Sequence, residues 1–149
     1  MLRINRQTDY AVRVVLALAQ QPMGTRISTK EIGRAMLIPQ NFLPRIVAKL
    51  AQANIIATFP GRDGGLQLSH QPENITLRDV VEAFEGPLQL SECLEGKNFC
   101  PFEKVCVVRP RWSGLQNLIL KELESTSFSD LVKEAAEKNP PIKINSVTI

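Results

Sequence analysis

Residues 38–70 read IPQNFLPRIVAKLAQANIIATFPGRDGGLQLSH. Phe42, Leu43, Ile46, Val47 and Leu50 recur at helical spacing, which predicts a helix running to about Ala53. Pro44 is out of place in a helix interior, because it lacks an amide donor and clashes with the preceding turn. The helix is therefore expected to start near Asn41 or Phe42, leaving Pro44 in the tolerant first turn. Two short apolar runs follow, at 55–59 and 66–70, and PGRDGG between them marks a tight connection. A helix leading straight into a β-hairpin is the second half of a winged helix-turn-helix.

The upstream residues supply the first half. TDYAVRVVLALAQQ offers Thr8 or Asp9 as N-cap and places Tyr10, Val14, Ala17 and Leu18 on one helical face, before Pro22 and Gly24 interrupt it. Ser28 with Glu31 forms the S-x-x-E pattern that opens a short second helix, and a turn at Leu37, Ile38 and Pro39 leads to the third. The expected class is mainly α with a small β-hairpin wing: a winged helix-turn-helix DNA-binding domain plus a long dimerisation helix.

Thr76 caps a further helix, TLRDVVEAFEG, with Gly86 as its stop. After residue 107, Pro110 marks a helix start, and Trp112, Leu115, Ile119 and Leu123 follow at spacings near a heptad seam, the mark of a self-pairing helix. SFSDLVKEAAEK is a last amphipathic helix, and NPPIKINSVTI has no periodic signal. The resulting division is a winged helix-turn-helix at 1–86, a cysteine-rich loop at 87–107, the dimerisation and C-terminal helices at 108–139, and a tail at 140–149.

Charge placement favours nucleic acid. The formal net charge is only +3, so position matters more than total. Lys30, Arg34, Arg45 and Lys49 lie in or beside the second and third helices, and Arg62 sits at the hairpin tip, so phosphates would be met from three sides. Gln40 and Asn41 open the third helix, where amides suit adenine edges or phosphates, and Arg45 one turn later suits guanine or the backbone. Ser28, Lys30, Gln40, Asn41, Arg45, Lys49 and Arg62 are the candidate DNA contacts. Arg62 also suits insertion into a narrow minor groove; a solvated basic face, with Gln40 and Asn41 as helix caps and Arg62 as a plain turn residue, is the alternative.

All three cysteines fall within CLEGKNFCPFEKVC, residues 93–106. An odd number argues against a secreted disulfide framework, and clustered thiols in a reducing cytosol bind metal or do redox work. The C-x6-C-x5-C spacing names no particular metal. Three soft donors suit zinc or an iron–sulfur cluster, and a metal-free thiol switch also fits. The single histidine, His70, lies far away at the hairpin's end. It leaves no credible nucleophile–histidine–acid set, and no glycine-rich phosphate loop is present, so the chain is not expected to be an enzyme. The longest apolar run, AVRVVLALA, is too short to span a bilayer and is broken by Arg13. The expected location is the cytoplasm, with no membrane association.

Taken in order, RQTDYAVRVVLALA, IPQNFLPRIVAKL, GRDGGLQL, ITLRDVVEAFEG and the three cysteines resemble the winged-helix transcription regulators that include IscR and NsrR, the Rrf-two family. The resemblance spans about residues 2–135. It implies a homodimer built on the helix after the cysteine loop, bound to double-stranded operator DNA, with a [2Fe-2S] or [4Fe-4S] cluster controlling that binding. It implies that Cys93, Cys100 and Cys106 are cluster ligands. IscR-like members add a histidine three residues after the third cysteine, where this chain has Arg109. NsrR-like members use an aspartate near the start of the first helix, supplied by the partner subunit, and Asp9 matches it. Two departures bear on DNA reading: Pro60 replaces an arginine common before the wing glycine, and Pro44 stands where IscR has a base-reading glutamate.

Overall fold

The computed structural model describes residues 3–96 and 100–138. The tail expected at 140–149 and residues 97–99 of the cysteine loop lie outside the described residues. The elements are α1 (Arg6–Ala19), α2 (Thr29–Ala35), α3 (Leu43–Gln52), β1 (Ile56–Phe59), β2 (Gly65–Leu68), α4 (Leu77–Glu85), α5 (Arg109–Ser125) and α6 (Phe128–Lys138).

The N-cap of α1 is neither Thr8 nor Asp9 but Asn5, whose side-chain oxygen accepts from the Thr8 N–H at 2.9 Å. Starting a turn early carries Thr8 into the interior, where it is buried. Helix α2 opens as expected, with the Ser28 hydroxyl accepting from the Glu31 N–H at 3.2 Å. Helix α3 begins at Leu43 with Phe42 as N-cap, so Pro44 does fall in the first turn, where its missing donor costs no bond. Helix α4 has a full capping box between Thr76 and Asp79 and ends at Gly86, whose φ of 78° suits a residue without a Cβ.

Strands β1 and β2 pair antiparallel, with Ile56 opposite Leu68 and Phe59 opposite Gly65. A third segment joins them: Ile27 donates to the Leu66 carbonyl at 3.0 Å and accepts from the Leu66 N–H at 2.8 Å. Glycine is required at 65 for this approach, since its φ is +138° and a Cβ there would stand 2.5 Å from the Ile27 carbonyl oxygen.

One apolar core gathers Val14, Val15 and Leu18 of α1, Ile32 of α2, Leu43, Ile46 and Leu50 of α3, Ile56 and Leu66 of the hairpin, and Val80 of α4. It also takes in Phe128 of α6, which is fully buried. The Phe128 N–H donates to the Ile75 carbonyl at 2.8 Å and the Leu77 N–H to the Thr126 carbonyl at 3.0 Å. Helix α6 therefore belongs to the core of the winged domain, although its sequence position groups it with α5.

Helix α5 is different, because none of its residues is buried. The Leu90 N–H donates to Gln116 Oε1 at 3.0 Å, and Arg78 pairs with Glu124 at 3.2 Å, tying the helix to what precedes it. Trp112 and Leu115 of the expected seam are exposed, and Leu118 joins them at 67% exposure, while Ile119 and Leu123 are half-buried. The exposed apolar side chains here are thus Val108, Trp112, Leu115 and Leu118, of which Trp112 and Leu115 belong to the expected seam.

Candidate nucleic-acid interface and cysteine loop

Burial of Leu43, Ile46 and Leu50 sets the orientation of α3 and leaves Gln40, Asn41 and Arg45 exposed at its amino end. Gly33 lets that end close on α2: a Cβ there would stand 2.6 Å from Leu43 Cδ1 and 3.2 Å from Gln40 Nε2. Lys30 and Arg34 are exposed on α2, and Arg62 is exposed at the wing tip. The Ser28 hydroxyl is occupied, accepting from the Glu31 amide and donating to the Glu31 carboxylate at 3.3 Å.

Lys49 is set apart from the other candidate contacts. Its ammonium donates to the Phe84 carbonyl at 3.4 Å and lies 5.1 Å from the Phe84 ring centroid. This anchors α3 on the end of α4. The adjacent Glu85 accepts from the Asn5 N–H at 3.0 Å and the Thr8 hydroxyl at 2.5 Å. Burial pushes the Glu85 carboxyl upward, but the hydrogen bonds from Thr8 and Asn5 and the charge of Lys49 outweigh it and hold the group below its ordinary value.

A second set of contacts links α1 to the recognition helix. Arg13 pairs with Asp9 at 2.7 Å, reaches the Met36 carbonyl at 3.5 Å, and lies 5.3 Å from the Tyr10 ring centroid. Tyr10 in turn meets Phe42, the N-cap of α3, edge to face at 5.1 Å. Sequence reasoning singled out Asp9 but missed Arg13, although the i,i+4 spacing of opposite charges on one helix was the available signal.

In the loop between α4 and α5 all three cysteines are free thiols, with Cys93 and Cys106 half-buried and Cys100 exposed. Cys93 lies on a 3-10 turn with its sulfur 3.2 Å from the Ser91 hydroxyl. The Cys106 sulfur accepts from the Arg109 N–H at 3.3 Å, the kind of amide contact that tunes a metal-bound thiolate. Arg109 also forms an ion pair with Glu103. A guanidinium has no acceptor and cannot replace a histidine ligand. Asp9 is exposed on the first turn of α1 and faces Arg13. Among the described residues no three or more His, Cys, Asp or Glu side chains converge on one point. The donor chemistry suits a soft metal or cluster, but the described loop does not draw the sulfurs into one coordination sphere.

Residues 4–134 match the family model for Rrf2, described as iron-dependent transcriptional regulators. An HTH-type transcriptional regulator NsrR of Bacillus subtilis is 30% identical over 133 residues, covering 89% of this chain and 91% of the relative. A second NsrR, of Halalkalibacterium halodurans, is 30% identical over 144 residues, covering 96% and 99%. Among solved structures, CymR, the global cysteine regulator of B. subtilis, superposes with a TM-score of 0.75 at 26% identity, covering 90% of this chain and 98% of that one. A winged helix-turn-helix with an exposed recognition-helix end, followed by three clustered thiols and a match over nearly the whole chain, places this protein in the Rrf2 family of transcriptional regulators.

Proposed function

We propose that the protein is a homodimeric cytoplasmic repressor whose binding to operator DNA is controlled by an iron–sulfur cluster sensing redox state, nitric oxide or iron–sulfur supply. The observation that carries this reading is the confinement of all three cysteines, each a free thiol, to the one loop joining the winged domain to α5. In it, Cys93, Cys100 and Cys106 would hold the cluster, with Asp9 of the partner subunit as a fourth ligand. When bound, the cluster supplies iron that oxidants and nitric oxide attack, most readily at a carboxylate ligand, which is more exchangeable than thiolate.

The chain's own residues do the rest. Gln40, Asn41 and Arg45 read the major groove, Lys30 and Arg62 grip phosphates, and the Ser28 backbone at the start of α2 abuts the DNA strand. Lys49 acts indirectly, by fixing α3 to α4. Dimerisation through the apolar face of α5 sets the spacing of the two recognition helices, so half-sites one helical turn or a multiple apart are expected. The Arg13–Tyr10–Phe42 contacts give a change at Asp9 a route to the recognition helix.

Anaerobic isolation with visible spectra, iron and sulfide counts and operator binding tests this proposal. Colourless protein without iron that still regulates its operator would overturn it. The free thiols and the likeness to CymR, a cysteine regulator, favour a second reading in which the thiols act without metal. That reading predicts DNA binding altered by thiol oxidation in iron-free protein.

A further inference from the structure

The outer face of the hairpin carries an aromatic ring with a cation laid across it. Alternation along β1 puts Phe59, three residues after buried Ile56, on the opposite face of the hairpin, where it is half-buried. The Arg26 guanidinium carbon lies 3.6 Å from the Phe59 ring centroid. The paired bonds between Ile27 and Leu66, possible only because residue 65 is glycine, bring Arg26 to the ring. Among the described residues no carboxylate lies within ion-pair distance of Arg26. Its charge is therefore fixed in place without being neutralised, on the ring of the last β1 residue before the tip that carries exposed Arg62 and Asp63.

We propose that Arg26 is a DNA-phosphate contact of the wing, its guanidinium held ready by stacking on Phe59; the proposal rests on the DNA-binding reading above. Stacking uses the face of the guanidinium and leaves its in-plane N–H fork free for a phosphate. It also restricts, before binding, a side chain that would otherwise lose much of its rotamer freedom when immobilised. Pro60 cannot donate to a phosphate, and Arg26 supplies a cation against the ring of the preceding residue, Phe59. A merely structural Arg26 would shield the ring from water and leave the salt dependence of binding untouched.

The test is a salt titration of the full chain against a mixed-sequence duplex of about 30 base pairs, because phosphate contacts are independent of sequence. Arg26→Ala is expected to weaken binding roughly three- to tenfold and to lower the slope of log affinity against log salt by about 1. Phe59→Leu is expected to weaken binding while keeping the slope, since the charge remains but is no longer held. If Arg26→Ala lowers the melting temperature, Arg26→Gln, which keeps the aliphatic stem on the ring, is read in its place. An unchanged affinity and slope in a folded Arg26 variant, with Arg45→Ala still impaired, overturns this proposal and leaves DNA binding standing. Absence of salt-dependent binding by the unaltered chain overturns the DNA-binding reading and this proposal with it.

Discussion

Arg13 Nη2 stands 2.7 Å from Asp9 Oδ2, one turn away along α1, with both side chains about half exposed. An exposed i,i+4 pair contributes only about 0.3–0.5 kcal/mol. Asp9→Ala is therefore expected to shift unfolding by no more than about 0.5 kcal/mol, and any large effect must arise elsewhere. If Asp9 ligates the partner's cluster, the variant loses its visible absorbance several-fold faster in the presence of a chelator. An unchanged lifetime would remove Asp9 from the ligand set.

Leu37 has a φ of 53° and is 82% exposed in the turn between α2 and α3. The left-handed conformation costs a non-glycine residue roughly 1–2 kcal/mol, and so exposed a side chain recovers almost none of this by burial. Glycine removes the steric cost but gives the unfolded chain more freedom. Leu37→Gly is expected to stabilise the fold by roughly 0.5–1 kcal/mol, read as a higher denaturation midpoint at unchanged slope. A lower midpoint would mean that Leu37 makes a contact within the fold that its exposure conceals.

What was legible in the sequence was what local chemistry alone decides. The Thr76 cap, the stop at Gly86, Pro44 in a first turn and the PGRDGG hairpin tip are each settled by residues within a few positions of one another. The start of α1 was misplaced because three polar residues, Asn5, Thr8 and Asp9, compete for the cap. Glu85, 77 residues from Thr8, decides the matter by taking the Thr8 hydroxyl into a tertiary bond. The half-burial of Ile119 and Leu123 on α5 was hidden for the same kind of reason, since which side of a helix faces its own domain depends on partners distant in sequence. Of the candidate site, the exposed end of α3 was readable from its apolar period, whereas the inward turn of Lys49 toward Phe84 was not.

Phe128 and Leu118 lie ten positions apart with opposite expected effects, because one is fully buried and the other 67% exposed. Phe128→Ala opens a cavity in the core where α6 packs on α1 and is expected to cost about 3–5 kcal/mol. That is enough to unfold a domain of ordinary stability. Calorimetry that finds a near-normal melting temperature would show α6 to be dispensable.

Leu118→Glu places a charge on the free face of α5 and is expected to leave the folded chain intact by circular dichroism. If the protein is the proposed homodimer, sedimentation equilibrium should then show the variant shifted from dimer to monomer, because burying an unpaired carboxylate in an apolar interface is costly. A variant that stays dimeric would move the subunit contact off this face, and with it the proposed spacing of the recognition helices.

Glu85 gives the fold an acid limb whose sign follows from its surroundings. Its folded pKa lies below the ordinary 4.5, so the unfolded chain binds the proton more tightly than the folded one. The charged group therefore contributes stability above about 4.5, and that contribution fades as pH falls through the lower folded value. Glu85→Gln keeps an oxygen for the Thr8 hydroxyl and the Asn5 amide but loses the attraction to Lys49. The variant should be less stable than the parent at neutral pH, and the difference should close below pH 4.5, measured by urea unfolding across that range. A gap that stays constant into acid would assign the role of Glu85 to its shape, because a neutral amide and a protonated carboxyl would then differ as much as a charged one does.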